Sequence, residues 1–111
     1  MHPAIATFAP NLFKGKVALV TGGGRGIGRS IALAFAQLGA DVIVASRTEK
    51  NLQSTAGEIE SIGSNVLTQV LDVRDTNNVN QVVQRSIEEF GGIDFLINNA
   101  GGQFPAKPFD I

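Results

Sequence analysis

The sequence contains no cysteine and a single histidine. Without cysteine the chain can form neither disulfides nor thiolate-metal sites, and we expect no metal. The formal net charge is only −1, which argues against a nucleic-acid or anionic-membrane surface. No apolar run approaches the roughly 18–20 residues of a membrane span, and residues 1–15 do not resemble a secretory signal. We therefore expect a globular protein that binds neither nucleic acid nor membrane.

The chain does contain a regular alternation of two hydrophobic patterns. Short apolar runs at residues 16–21, 41–46, 65–73 and 93–98 are typical of buried strands. Between them, apolar residues recur at helical spacing, and each helical segment stops at a glycine. The three helical faces are Ile27, Ile31, Ala34, Phe35 and Leu38; Leu52, Ala56, Ile59 and Ile62; and Val79, Val82, Val83, Ile87 and Phe90. The order β-α-β-α-β-α-β predicts an α/β fold, with a parallel sheet covered by helices on both faces.

A glycine-rich loop, Thr21-Gly-Gly-Gly-Arg-Gly-Ile-Gly28, joins the first strand to the first helix. Gly22 allows a tight turn out of the strand, Gly26 allows the backbone to approach a pyrophosphate, and Gly28 allows the helix to pack close to the sheet. The helix N-terminus would then face the phosphates. The loop lacks the Gly-Lys-Ser/Thr ending of a nucleoside-triphosphate loop. It therefore predicts dinucleotide binding rather than ATP or GTP hydrolysis.

The spacing Thr21-Gly22-x-x-x-Gly26-x-Gly28 resembles the first motif of the short-chain dehydrogenase/reductase family. Asp72, after the third strand, and Asn98 to Gly101, after the fourth, match two further family motifs. The resemblance implies a Rossmann-type doubly wound sheet with strand order 3-2-1-4. It also implies a cofactor-binding portion over residues 13–111, after an N-terminal extension of residues 1–12. The cofactor-binding residues it implies are Thr21, Gly22, Gly24, Arg25, Gly26, Ile27, Gly28, Ser46, Arg47, Asp72, Val73, Asn98, Ala100 and Gly101.

Ser46 and Arg47 decide which nicotinamide cofactor we expect. NAD-binding enzymes usually place a carboxylate at the end of the second strand, where it bonds the ribose 2′-OH and repels a 2′-phosphate. Here that position is Ser46, followed by Arg47, whose planar guanidinium suits a phosphate. Arg25 can reach the same group, and six of the nine basic residues fall within residues 1–50. The sequence therefore predicts NADP(H), although both arginines could instead be ordinary surface residues.

The family's catalytic acid is a tyrosine four residues before a lysine, and this chain has no tyrosine. We therefore expect no catalytic residue here. The chain should represent the cofactor-binding part of an incomplete domain, inactive on its own. The fourth strand would form an apolar edge unless something covers it. Two alternatives remain open: a nucleotide-binding module without catalysis, and a truncated product.

The run Asn-Asn-Ala-Gly-Gly-Gln-Phe at residues 98–104, together with Ala-Ser-Arg at residues 45–47, resembles the family branch that includes peroxisomal trans-2-enoyl-CoA reductase and the 2,4-dienoyl-CoA reductases. That likeness implies fatty acid metabolism and a small-molecule substrate, either an acyl-CoA thioester or a ketone. In this branch Gln103 would donate to the thioester carbonyl and Phe104 would pack on the acyl chain, although both could simply pack within a loop. The family resemblance also implies a homo-oligomer at full length. The expected location is cytoplasmic, with the peroxisome as the eukaryotic alternative; the visible Phe-Asp-Ile end is not a peroxisomal address.

Overall fold

A computed structural model of the protein describes residues 11–24 and 26–99. Its elements follow the order β1 (Val17–Thr21), α1 (Gly26–Gln37), β2 (Asp41–Ser46), α2 (Glu49–Ile62), β3 (Val66–Val70), α3 (Thr76–Phe90) and β4 (Phe95–Asn98). This order confirms the predicted β-α-β-α-β-α-β pattern. The expected extension of residues 1–12 falls almost entirely outside the described residues.

The four strands form one parallel sheet in the order β3-β2-β1-β4, which confirms the predicted Rossmann-type topology. Thr21 is in register with Ala45 on one side and with Asn98 on the other, and Ser46 is in register with Val70. Because all strands run in the same direction, their carboxyl ends meet at one edge of the sheet. In a doubly wound fold this is the edge that receives a ligand.

Alternating side chains of the central strands divide the core into two halves. Val20, Val42 and Val44 pack with residues of α1 and α2 on one face. Leu19, Ile43 and Ala45 pack with Val82 of α3 on the other. Three phenylalanines from separate segments, Phe13, Phe35 and Phe95, cluster beside the first half with ring centroids 5.1–5.3 Å apart.

Side chains and backbone turns mark where several elements begin and end. Asp75 caps α3 by accepting a hydrogen bond from the Asn78 N–H at 3.2 Å. The helices α2 and α3 end at Gly63 and Gly91, as predicted. At the start of β4, the Asp94 side chain accepts from the Val17 N–H at 2.8 Å. Asp94 thereby sets β4 in register beside β1.

The predicted helical faces are partly wrong. Ile27 at the start of α1 is exposed at 72%, Val83 and Ile87 of α3 at 37% and 47%, and Ile62 at the end of α2 at 40%. On α3 the small Ser86 is buried instead, and its hydroxyl is satisfied within the helix by donating to the Val82 carbonyl oxygen at 2.7 Å. Helical spacing therefore located the helices, but it overestimated the width of their buried stripes.

Candidate cofactor-binding site

The loop after β1 begins with a backbone turn at Gly22. Its N–H donates to the Ala45 carbonyl oxygen at 2.6 Å, which extends the contact between β1 and β2. Gly22 then adopts φ +68°, a left-handed conformation that a side chain would oppose. The chain can therefore leave the sheet sharply and enter α1 within a few residues.

Gly28 lies where α1 approaches the loop most closely. A Cβ atom added at Gly28 would lie 2.1 Å from the Gly22 carbonyl oxygen and 2.9 Å from Asn99 Nδ2. No residue with a side chain fits there without moving backbone. The first turn of α1 is therefore held directly against the loop, which places the positive end of the helix at the carboxyl edge of the sheet.

The outer side of the loop is held by α2. A Cβ atom added at Gly24 would lie 2.7 Å from Asn51 Cβ and 3.4 Å from Ser46 Oγ. The buried Thr55 hydroxyl donates to the Gly24 carbonyl oxygen at 3.1 Å. The loop thus lies between the ends of β1 and β2 and the first turns of α2, and its curvature is fixed by contacts from both sides.

Replacing Thr55 with valine should destabilise the loop while preserving the size of the side chain. The Gly24 carbonyl would lose its buried donor, which costs about 1–3 kcal/mol in free energy of unfolding. We expect weaker cofactor binding in the same variant. Urea unfolding and cofactor titration measure the two effects. The control is Ser61→Ala, which removes an exposed hydroxyl of the same helix, bonded to the Gly57 carbonyl oxygen at 2.9 Å. Equal stability of the two variants would contradict the role given to Thr55.

Thr21 joins the first and fourth strands at the same edge. Its hydroxyl lies 2.9 Å from Asn98 Oδ1 and 3.3 Å from the Ile97 carbonyl oxygen, both acceptors, and it accepts from the Asn99 N–H at 2.9 Å. Thr21 itself is buried. The chain leaving β4 is therefore fixed beside the glycine loop.

Ser46 and Arg47 follow one another at the end of β2. The Ser46 hydroxyl forms 3.3 Å contacts with the Thr48 N–H and carbonyl oxygen, which shape the turn into α2. Arg47 is exposed, and neither of the two ion pairs between described residues involves it. The Arg47 guanidinium is therefore available to a ligand at this edge.

Asp72 follows β3 and is fully engaged by Arg74. Arg74 Nε lies 3.1 Å from Asp72 Oδ1, Nη2 lies 3.2 Å from Oδ2, and the Arg74 backbone N–H donates to Oδ1 at 3.0 Å. These bonds from Arg74 hold the pKa of the Asp72 carboxyl below its usual range, with a smaller contribution from the charge of Arg47. Asp72 is therefore ionised at neutral pH and lies within the electrostatic reach of both arginines.

Two exposed apolar side chains, Ile27 at 72% and Val73 at 39%, lie at the same edge. Together with the loop, the strand ends, the N-terminus of α1 and Arg47, they define what we call the cradle, which combines small residues, a helix N-terminus, an exposed cation and apolar surface. This combination fits a dinucleotide, because pyrophosphate needs close backbone approach and adenine needs apolar contact. Among the described residues, no cluster of three or more His, Asp or Glu side chains is placed to hold a metal ion.

The described part of the chain brings together most residues that the sequence singled out: Thr21, Gly22, Gly24, Gly26, Ile27, Gly28, Ser46, Arg47, Asp72, Val73 and Asn98. Arg25, Ala100, Gly101, Gln103 and Phe104 lie outside the described residues. Sequence reasoning named Asn99 only as part of the motif Asn98 to Gly101, and it missed Asn51, Thr55, Arg74 and Asn78. Of these, only Arg74 carried a usable signal, since a cation two residues after a predicted site carboxylate can pair with it.

Comparison with known proteins identifies the family of the chain. Residues 16–110 match the family described as short chain dehydrogenase. An uncharacterized oxidoreductase of Mycobacterium tuberculosis, MT0954, is 44% identical over 90 residues, covering 81% of this chain and 34% of that protein. The chain therefore belongs to the short-chain dehydrogenase/reductase family, as its motifs predicted.

Solved structures share the fold as well, and two of them serve as examples. The citronellol catabolism dehydrogenase AtuB of Pseudomonas aeruginosa gives a TM-score of 0.77 at 42% identity, covering 80% of this chain and 37% of that one. Carveol dehydrogenase from Mycobacterium avium, solved in complex with NAD, gives a TM-score of 0.78 at 32% identity, covering 82% and 37%. The chain thus spans about a third of the length of these relatives. Within the described ranges, no helix is both long and apolar enough to cross a membrane.

Proposed function

We propose that the chain is the NADP(H)-binding part of an oxidoreductase that transfers a hydride between the nicotinamide and a small-molecule substrate. The single observation that carries the cofactor choice is the exposed Arg47 beside Ser46 at the end of β2, which forms no ion pair with any residue that the structure describes. No carboxylate stands there to repel a 2′-phosphate, and a guanidinium can bond one through two N–H groups. NAD is bound by the related carveol dehydrogenase, so our proposal for NADP(H) rests on these two residues.

Each part of the cradle has a proposed role. The loop from Gly22 to Gly28 and the start of α1 would bind the pyrophosphate through backbone N–H groups, with Arg25 beside Arg47 at the 2′-phosphate. Asp72 and Val73 would contact the adenine. Asn98, Ala100 and Gly101 would contact the ribose on the nicotinamide side. When bound, NADPH supplies the hydride; the residues named here bind and orient, and none is assigned acid-base chemistry.

The acceptor in our proposal is either an enoyl thioester or a ketone. The stretch that contains Gln103 and Phe104 favours the thioester, as in the enoyl-CoA reductase branch. The name of carveol dehydrogenase favours the ketone, since carveol is a secondary alcohol and its oxidation is the reverse of ketone reduction. In the full-length protein, oxidation of NADPH followed with a trans-2-enoyl-CoA and with a cyclic ketone would distinguish them. NADPH binding by a full-length protein that lacks the tyrosine-lysine pair would favour a non-catalytic module.

Arg47→Ala tests the cofactor assignment. Removing a charged donor to the 2′-phosphate should cost about 1.5–3 kcal/mol per hydrogen bond lost, or roughly 10- to 150-fold in NADPH affinity. NADH affinity should change little, because NADH has no 2′-phosphate. Fluorescence titration of the chain with each cofactor measures both constants.

The matched control is Arg85→Ala, which removes the same charge from an exposed position on α3. This variant should bind both cofactors as the unaltered chain does. An equal loss of NADPH and NADH affinity in Arg47→Ala would contradict the NADP(H) assignment.

A further inference from the structure

Arg47 and Asp72 leave two neighbouring strands at the same edge of the sheet. Ser46 is in register with Val70, and the Leu71 N–H donates to the Ser46 carbonyl oxygen at 2.8 Å. Arg47 is thus the first residue after this contact on β2, and Asp72 is the first after it on β3. A cation and an anion that follow the ends of adjacent strands would attract one another if neither were paired with another charged group.

Arg74 engages the anion. Its guanidinium reaches both carboxylate oxygens of Asp72, at 3.1 and 3.2 Å, while its own N–H bonds the same carboxylate at 3.0 Å. The turn is fixed further from α3, because Asn78 Oδ1 accepts from the Asp72 N–H at 2.7 Å and Asn78 Nδ2 donates to the Val70 carbonyl oxygen at 3.2 Å. The Asp72 carboxylate is therefore held in one place by partners on its own side.

Two cations surround one carboxylate, and only one of them is paired with it. Without Arg74, the unsatisfied Asp72 carboxylate would compete with a 2′-phosphate for Arg47, and its charge would repel that phosphate. We propose that Arg74 is a positioning residue for cofactor selection. By binding and neutralising Asp72, it leaves Arg47 available to the 2′-phosphate. The inference rests on the proposed NADP(H) function and adds a residue that need not touch the cofactor.

The first test is Arg74→Met, which keeps an unbranched side chain and removes the charge. We expect NADPH affinity to fall about fivefold at low salt, the size of a good exposed ion-pair effect. The fall should shrink as added salt screens the charges. NADH affinity should stay within about twofold, since Arg47 has no phosphate to bind there. The ratio of the two affinities is the readout, because a general disturbance of the adenine pocket changes both equally.

The second test is rescue. Adding Asp72→Asn to Arg74→Met removes the carboxylate that would capture Arg47, so the NADPH/NADH ratio should return to that of the unaltered chain. A ratio that stays low in the double variant would overturn the proposal, because Arg74 would then act on the phosphate directly. An unchanged ratio in Arg74→Met alone would overturn it as well.

A third readout needs no cofactor. The pKa of Asp72, followed by carbon NMR of its carboxyl in the unliganded chain, should rise towards its ordinary value in Arg74→Met. No movement of that pKa would show that the pairing of Arg74 with Asp72 is not formed in solution, which would overturn the proposal.

Arg47→Ala, measured in the same cofactor titrations, separates the NADP(H) function from the role of Arg74. If Arg47→Ala lowers NADPH and NADH affinity equally, the NADP(H) function is contradicted. If Arg47→Ala lowers mainly NADPH affinity while Arg74→Met leaves the NADPH/NADH ratio unchanged, only the role of Arg74 is contradicted.

Discussion

Gly28→Ala should lower the free energy of unfolding by about 3 kcal/mol, at the upper end of what overpacking costs. The added methyl group would lie 2.1 Å from the Gly22 carbonyl oxygen and 2.8 Å from the Gly22 carbonyl carbon. Both neighbours are backbone atoms, so no side chain can rotate away to make room. Either α1 moves off the loop or the turn at Gly22 opens. Urea unfolding followed by circular dichroism measures the loss.

The same substitution should also abolish measurable NADPH binding, because either movement displaces the helix-terminal N–H groups from the proposed pyrophosphate position. Titration below the unfolding midpoint separates this effect from loss of fold.

The matched control is Gly57→Ala in α2, where an added Cβ atom meets nothing within 4 Å. Alanine in a helix interior should stabilise that variant by roughly 0.5–1 kcal/mol. If Gly28→Ala were as stable as Gly57→Ala, the close approach of α1 to the loop would be refuted.

The order of elements could be predicted because its signals are local and repeated. Four apolar runs alternate with three amphipathic helices, and right-handed parallel crossovers leave few topologies. The strand order 3-2-1-4 came from the family resemblance, and the register of Thr21 with Ala45 and Asn98 is consistent with it.

The helical faces were less predictable. Val83 and Ile87 are hydrophobic and were predicted to be buried, yet both are exposed to solvent in the described part of the molecule, whereas the polar Ser86 is buried. Ser86 satisfies its hydroxyl within its own helix, so its burial leaves no hydroxyl unpaired. Burial depends on which neighbours a helix meets, and spacing along one helix contains no information about them.

At the proposed site, the glycine loop and the Ser46-Arg47 pair could be identified from the sequence, because each is recognised by a few neighbouring residues at the end of a strand. The residues that support the loop were less predictable. Thr55 lies 31 residues from Gly24, to which it donates, and threonine is common on helices for many reasons. Asn99 belongs to the recognised motif Asn98 to Gly101, but its contact with Thr21, 78 residues away, was not predicted. Only the folded chain shows that Thr55 and Asn99 hold the loop and the end of β4 in place.

Ile43→Ala should destabilise the chain by about 2–5 kcal/mol, the range for truncating a buried aliphatic side chain. Ile43 is fully buried in the central strand β2, and it packs in the half of the core that contains Leu19, Leu71 and Val82. The substitution removes apolar contact and leaves a cavity between the sheet and α3. Domains of this size are stable by about 5–15 kcal/mol, so this loss is a large part of the total. Urea unfolding measures it.

Ile62→Ala is the matched control, since the same atoms are removed from a side chain that is 40% exposed at the end of α2. We expect it to stay within about 1 kcal/mol of the unaltered chain. The contrast tests the division of the core, because Ile43 faces α3 whereas its strand neighbours Val42 and Val44 face α1 and α2. If Ile43→Ala cost no more than Ile62→Ala, α3 would not be packed on the sheet in solution. The turn that joins Asp72 to Asn78 would then lose the support on which the adenine side of the proposed site depends.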